Sequence, residues 1–304
     1  MQLSLLPLIA KEELGNAWDW LIQGIRPRPT TPSQSCIYDH KKWQIQGVYH
    51  PLRADGIIEK HLAILFLASE FGDDDQIYNL ANFGKATDIR HPVGLLDKDV
   101  KNIVQERKGF RDSLSEHLAF WVRLADEAQA RVEGKKFAGK SPHVQSRDKG
   151  PDGLFISVGS KDYIEIQSVK NSISDPRSLV GTTSFRTSGK IHNRKKPKQL
   201  EEFWLTANEN WGIVRLQREL SNLCRLMEIT ELQEFFKIAL SNKDLCFYNA
   251  IVVADEKHAR ENVFEGYAHI TNDISRRIAT YISSDEWKDL AEKTRQEIKK
   301  RLNI

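Results

Sequence analysis

Residues 151–170 (PDGLFISVGSKDYIEIQSVK) constrain the fold of this chain more than any other segment. Two runs of β-branched and aromatic residues flank a Gly-Ser pair at 159–160, and this pattern predicts a β-hairpin. If the pair forms a two-residue loop, Asp152 lies opposite Gln167 and one diagonal step from Glu165. Residues opposite each other point to the same side of a sheet, so these three polar side chains are expected to share one face.

Two carboxylates on one face of a hairpin predict a site for a hard cation. Diagonal neighbours on antiparallel strands lie roughly 7 to 8 Å apart, which would let Asp152 and Glu165 bind one ion between them. Without a cation the two negative charges would repel each other. The alternative is a solvated hairpin in which Asp152 begins a turn. The other face is expected to anchor the hairpin on a core through Gly153, Phe155, Ile164 and Ile166.

The order Pro151-Asp152, then Glu165 and Gln167 two residues apart, resembles the signature of the PD-(D/E)xK nuclease superfamily. The resemblance implies metal-dependent hydrolysis of phosphodiester bonds. Gln167 stands where the superfamily usually has a lysine, a variant that occurs in some restriction enzymes, and it would orient the attacking water by hydrogen bonds. Lys170 is the candidate substitute for the missing positive charge, although in a regular strand it points to the opposite face.

The resemblance also implies a set of metal ligands. Asp152 and Glu165 would hold Mg²⁺, with the Ile166 carbonyl and Glu116 as further ligands. All these ligands are oxygen atoms, so Mg²⁺ is favoured over zinc and Mn²⁺ should substitute for it. Glu116 lies in the first turn of a helix predicted from Asp112 to about Val132, where the helix dipole alone would also favour an acid.

The neighbouring segments fit the nuclease core in order, a helix, three strands, a helix and a further strand. After the helix from Asp112 and the hairpin, residues 199–226 predict a second helix, and the apolar run 245–253 predicts a buried central strand. The predicted fold class is α/β (α+β), a restriction-endonuclease-like core with a small mixed sheet flanked by helices. The predicted units are a mainly helical region 1–108, the core 109–258 and a helical carboxy-terminal extension 259–304.

The flanking regions show helical spacing. An amphipathic helix is predicted over 3–25 and a second helix, rich in Ile and Leu, over 54–71. The aspartates in 72–75 are interpreted as a solvated helix cap because they lack calcium-loop spacing. Helical spacing returns from Ala259 and ends in a charged helix from about 284 to 302. The amino-terminal region would brace the core, recognise substrate or dock onto another subunit, and the sequence does not decide among these roles.

A basic segment after the hairpin predicts contact with nucleic acid. It contains no acidic residue and would bind the phosphate backbone, with a solvated charged loop as the alternative. By resemblance, DNA is favoured over RNA as the substrate. The basic side chains are Arg186, Lys190, Arg194, Lys195, Lys196 and Lys198.

Composition excludes several other functions. The chain has 304 residues, 40% hydrophobic, with a net charge of only +3, so nucleic-acid affinity would have to come from local patches. The short apolar start predicts neither a signal peptide nor a membrane span, which favours a cytoplasmic protein without a membrane partner. Residues 181–190 lack phosphate-loop spacing, so a separate ATPase or helicase subunit is the partner that fold-level analogy suggests, in restriction or antiviral defence.

The competing hypothesis is a catalytically inactive nuclease-fold subunit that binds nucleic acid or a partner protein, with Gln167 marking the lost cleavage.

Overall fold

The computed structural model describes residues 7–24, 48–52, 57–91, 98–130, 136–139, 142, 152–158, 163–176, 246–258 and 276–304. These residues form a mixed α/β structure in which helices pack against a six-stranded sheet. The helices are α1 (Lys11–Gly24), α2 (Ile58–Phe71), α3 (Asp74–Phe83), α4 (Lys98–Gln105), α5 (Arg107–Ala130) and α6 (Trp287–Leu302). The strands are β1 (Val48–Leu52), β2 (Lys136–Gly139), β3 (Gly153–Val158), β4 (Tyr163–Asn171), β5 (Cys246–Asp255) and β6 (Arg276–Ser284).

The sheet is mixed, with three parallel and two antiparallel strand pairs among the described residues. Its order is β1-β6-β5-β4-β3-β2, with parallel pairs from β1 to β4 and antiparallel pairs from β4 to β2. Parallel neighbours need long crossovers, and the intervals 172–245 and 256–275 supply them between β4 and β5 and between β5 and β6. The predicted hairpin therefore borders a buried parallel strand, β5.

Helix α2 lies at the centre of the helical layer. Eleven of its fourteen residues are buried, because α1, α5 and α6 all pack against it. Trp121 joins α5 to α2: its indole N–H donates a hydrogen bond of 2.7 Å to the carbonyl of Leu65 in α2. The core therefore extends from the sheet through α5 into α2.

Most predicted helices are confirmed, with shifted ends. The predicted helices over 3–25, 54–71 and 284–302 correspond to α1, α2 and α6, and the apolar run 245–253 corresponds to β5. The aspartates after α2 do form a cap: Asp73 accepts a hydrogen bond of 2.7 Å from the backbone N–H of Gln76 at the start of α3. Helix α5 begins at Arg107 and not at Asp112, so Glu116 does not lie in its first turn.

The helical prediction for 259–304 is wrong over 276–284, which form strand β6. This strand pairs with β5 along its whole length, and β1 from the predicted helical region 1–108 pairs with it on the other side. Both flanking regions therefore contribute strands to the same sheet as the predicted core. The segment 276–284 contains Ile278, Thr280 and Ile282 at alternate positions, a pattern of strands that the longer helical spacing obscured.

Two predicted segments lie outside the described residues, the basic segment 186–198 and the helix 199–226. Within the parts of the chain that the structure describes, no helix has both the length and the apolar character needed to span a bilayer.

Candidate functional site

The hairpin of β3 and β4 forms with a register one residue away from the predicted one. Gly153 and not Asp152 lies opposite Gln167, and Phe155 lies opposite Glu165. A shift of one residue exchanges the two faces of a strand. The hairpin therefore places Gly153 and Phe155 on the same face as Gln167 and Glu165, although the predicted register put them on the opposite face. Asp152 belongs to the other face.

Glu165 is a buried side chain with hydrogen-bond donors on both carboxylate oxygens. Its side chain is 2% exposed. Oε2 accepts a hydrogen bond of 2.6 Å from the Arg123 guanidinium of α5, and Oε1 accepts from the Gln167 amide at 2.9 Å and from the Asn249 amide at 2.8 Å. A buried carboxylate is stable only with such partners. Glu165 therefore faces α5 in the interior and not a solvent cleft.

The Arg123 guanidinium bridges two acids. Besides Glu165 it contacts Glu127, which lies one helical turn further along α5 and is 5% exposed. The ring of Phe155 lies 5.7 Å from the guanidinium carbon, within range of a cation–π interaction. One positive group is thus held between two negative groups and an aromatic face.

The polar network continues across the sheet. Asn249 lies opposite Gln167 in the β4–β5 pair, and its amide oxygen accepts a hydrogen bond of 3.0 Å from the Thr280 hydroxyl of β6. Side chains of β4, β5, β6 and α5 therefore form one connected set of buried hydrogen bonds around Glu165. Such a network fixes how the helix lies on the sheet.

Asp152 lies just before β3 and has different partners. One oxygen, Oδ2, accepts a hydrogen bond of 2.7 Å from the Val169 backbone N–H and lies 3.3 Å from the Lys170 ammonium. Because β3 begins at Gly153, this carboxylate takes over a backbone N–H of β4 at the end of the ladder. The structure brings Asp152 and Lys170 together, about one-quarter exposed each, at 26% and 28%.

Glu116 and Ile166 complete the set of predicted ligands. Glu116 is half-buried and lies seven residues before Arg123, on the same stripe of α5. Arg123 contacts β4 from that stripe, so Glu116 belongs to the side of the helix that faces the hairpin. Ile166 lies within β4 between Leu154 of β3 and Tyr248 of β5, where its backbone groups belong to the sheet.

The arrangement does not fit the predicted metal site. A metal ligand needs an oxygen lone pair directed at the ion, and the oxygens of Glu165 already accept hydrogen bonds from one guanidinium and two amides. The register also separates Asp152 from Glu165, so the predicted diagonal pair on one face is wrong. Across the described ranges, no three His, Cys, Asp or Glu side chains form a group that could hold a metal ion.

A serine, a histidine and a glutamate also meet elsewhere, between α2 and α5. Ser69 Oγ lies 2.6 Å from His117 Nδ1, and His117 Nε2 lies 3.1 Å from a Glu70 oxygen. All three side chains are buried, and the serine hydroxyl is 3.0 Å from two backbone carbonyls of its own helix. A buried hydroxyl offers a substrate no access, so this cluster joins the two helices and does not form a nucleophilic site.

Three residues that surround Glu165 were not predicted from the sequence: Arg123, Glu127 and Asn249. Two signals point to them. Arg123 and Glu127 are spaced as an ion pair on α5, and Asn249 is a single polar residue inside the apolar run of β5. A polar residue in a buried strand predicts a buried partner, here Glu165.

Comparison with known proteins gives no significant match: no family model, no curated protein and no solved structure resembles the chain closely enough to identify it.

Proposed function

We propose that this chain is a nuclease-fold protein that acts on nucleic acid, with DNA favoured over RNA, and that binding is the function the described arrangement supports best. The observation that carries this proposal is the Arg123 guanidinium on Glu165. The acid that would define a metal centre serves instead as the buried partner of an arginine. This is the arrangement expected of a nuclease-fold subunit that retains the fold and binds without cleaving.

The order of the described elements supports the nuclease-like fold. Helix α5 is followed by β2, β3 and β4 and later by β5, and the sheet changes from antiparallel to parallel at β4. This is the succession of helix, three strands and further strand that the resemblance implies. The second core helix, 199–226, lies outside the described residues and stays a prediction.

Nucleic-acid contact is assigned to the basic segment 186–198. Its charges follow β4 closely in the sequence, and positive side chains bind the phosphate backbone with an affinity that falls as salt rises. Charge reversal of Lys195 and Lys196 to glutamate should weaken DNA binding and flatten its dependence on salt. The matched control reverses Lys288 and Lys300, two exposed lysines of α6, with the same change in net charge.

Binding is measured by fluorescence anisotropy of labelled duplexes over a salt series. The proposal predicts binding that is unchanged by EDTA and by Glu165→Gln, together with a reduced slope only in the Lys195 and Lys196 variant. Equal effects of the two double reversals would mean that overall charge and not this segment binds DNA. Absence of binding to DNA and RNA at low salt would overturn the proposal.

A second candidate function is metal-dependent hydrolysis of DNA, with Mg²⁺ or Mn²⁺. One observation favours it: the Asp152 carboxylate lies 3.3 Å from the Lys170 ammonium, so the lysine that could replace the one missing at Gln167 does lie beside the first acid of the signature. Incubation with plasmid and linear DNA in Mg²⁺, Mn²⁺ or EDTA separates the candidates. Metal-dependent cutting that is lost in both Asp152→Ala and Lys170→Ala supports cleavage, and uncut DNA supports binding alone.

Both candidates suit a cytoplasmic component of restriction or antiviral defence. A separate ATPase or helicase subunit is the partner proposed for either, by analogy with other nuclease-fold proteins. Co-purification with such a subunit from the native host, and its loss when the chain is deleted, is the test of this partner.

A further inference from the structure

We propose that this chain has a second nucleic-acid contact at the end of the sheet where β4 stops, formed by residues 140–151 together with the start of α5. Residues 140–151 (KSPHVQSRDKGP), called the basic connection below, join β2 to β3 and contain three basic residues and one acid. This inference rests on the proposed nucleic-acid function and gives the bound nucleic acid a place on the described fold.

The strands fix where the basic connection begins and ends. Apart from Pro142, its residues lie outside the described part of the chain, but both strands that it joins are described. Strand β2 ends at Gly139, and its antiparallel partner β3 begins at Gly153, opposite Gln167 of β4. From Gln167, β4 runs on to Asn171 and stops. Both ends of the basic connection therefore lie at the carboxyl end of β4.

Attachment at both ends keeps the basic connection near this end of the sheet. An extended chain spans at most about 3.6 Å per residue, and the middle of the connection is about seven residues from either strand, so its backbone stays within about 25 Å. Asp152, which follows the connection, is held against β4: its Oδ2 accepts a hydrogen bond of 2.7 Å from the Val169 N–H and lies 3.3 Å from Lys170 Nζ. Arg147 and Lys149 stand only a few residues before this attachment.

The start of α5 lies at the same end of the sheet. Arg111 Nε donates a hydrogen bond of 3.2 Å to Asn171 Oδ1, and Asn171 Nδ2 donates one of 2.7 Å to Asp112 Oδ1. The last residue of β4 therefore holds the beginning of this helix. Lys108 comes three residues before Arg111, on the same side of α5, and is exposed. It adds a lysine from the described part of the chain to this surface.

The charge at the carboxyl end of the sheet differs from one side to the other. Strands β5 and β6 run parallel to β4 and stop at the same end, where residues 255–258 and 285–289 contain five acids and two lysines. On the side of β2, β3, β4 and α5, residues 106–112, 140–152 and 170–176 contain seven basic residues and five acids. Phosphate groups are repelled by the first side and attracted to the second. The nucleic acid is therefore placed across the ends of β2, β3 and β4.

The test compares DNA binding by the wild type, Arg147→Glu/Lys149→Glu and Lys108→Glu. Binding is measured by fluorescence anisotropy of a labelled duplex over a salt series in EDTA, and thermal unfolding shows whether each variant keeps its fold. The matched control for the double variant is Lys288→Glu/Lys300→Glu, with the same change in net charge at two exposed positions of α6.

The loss of two phosphate contacts in Arg147→Glu/Lys149→Glu should reduce the slope of the salt dependence by about two and weaken binding about tenfold or more at about 0.1 M salt. Lys108→Glu should reduce the slope by about one. The control should bind like the wild type. Wild-type affinity and slope in the folded Arg147→Glu/Lys149→Glu variant would overturn the proposal, and so would an equal loss in the control.

If the double variant does not fold, acetylation of the wild type with and without DNA gives the answer by mass spectrometry. DNA should protect Lys108, Lys140 and Lys149, whereas Lys60 and Lys300, exposed on α2 and α6, should react equally in both conditions. Equal acetylation of the first three with and without DNA would contradict the proposal. The proposed function fails separately, because reversal of charge in the segment 186–198 tests it whether or not the basic connection contributes.

Discussion

Gly153→Ala tests the register of the hairpin on which the site depends. Gly153 lies opposite Gln167, and a Cβ atom built on the glycine would be 3.2 Å from the Gln167 Cβ and far inside contact distance of its amide oxygen. The substitution should therefore push the Gln167 side chain away. It would break the hydrogen bond of 2.9 Å that the Gln167 amide donates to Glu165.

The expected cost follows from two opposing effects. Loss of a buried hydrogen bond to a charged group reduces stability by about 1.5–3 kcal/mol. Replacement of glycine by alanine within a strand stabilises the folded state by about 0.5–1 kcal/mol, because glycine loses more backbone freedom on folding. The free energy of unfolding should therefore fall by about 0.5–2.5 kcal/mol in Gly153→Ala.

Urea unfolding followed by tryptophan fluorescence measures this change from the shift in midpoint at constant slope. Gly15→Ala in helix α1 is the control, because a Cβ at Gly15 meets only the Ala86 methyl, at 3.7 Å. This substitution should stabilise the protein by about 0.5–1 kcal/mol. In a Gln167→Ala background only the Cβ contact at 3.2 Å remains, and Gly153→Ala should cost much less than in the wild type. An equal loss in both backgrounds would refute the collision, and no loss in the wild type would refute the register.

Two further predictions concern the packing of α6. The hydrogen bond from the Arg295 guanidinium lowers the pKa of Glu292 from 4.5 to about 2. The ionised Glu292 therefore contributes stability that is complete above pH 4.5 and is lost as pH falls through about 2. In Glu292→Gln the urea midpoint should fall less steeply with decreasing pH over this range, and an unchanged pH dependence would exclude the ion pair as its cause. Asp255 accepts a hydrogen bond of 2.6 Å from the backbone N–H of Trp287, the first residue of α6, so Asp255→Ala should cost about 1–2 kcal/mol in urea unfolding. Lys257→Ala removes only the exposed partner of Asp255 and should cost at most about 1 kcal/mol, and equal costs would assign the effect to the ion pair.

The sequence predicts elements well where a single periodicity is strong and local. Helices α1, α2 and α6 and strand β5 follow from the spacing of their apolar residues, and the cap of α3 follows from Asp73 and its neighbours. Strands β1 and β6 were not predicted, because each is stabilised by pairing with a strand distant in sequence. Pairing between distant segments leaves little trace in local spacing.

The register of the hairpin shows how a small local uncertainty changes a predicted site. The predicted loop pairs Ser157 with Asp162, whereas the structure pairs Ser157 with Tyr163. Strand residues alternate between faces, so this difference of one residue exchanges which side chains meet α5. The types of residue in the site were therefore predictable from the sequence, and their grouping was not, because it depends on the loop geometry.

The same register decides what each candidate function requires of the molecule. Glu165 is a buried counterion of Arg123. Asp152 ends the β3–β4 ladder beside Lys170, on the opposite face of the sheet. Cleavage by a metal shared between both acids would require the hairpin to change register and give up the Gly153–Gln167 pair. Binding of DNA requires no such change, so DNA binding that persists in EDTA without cleavage is the result expected of the wild type.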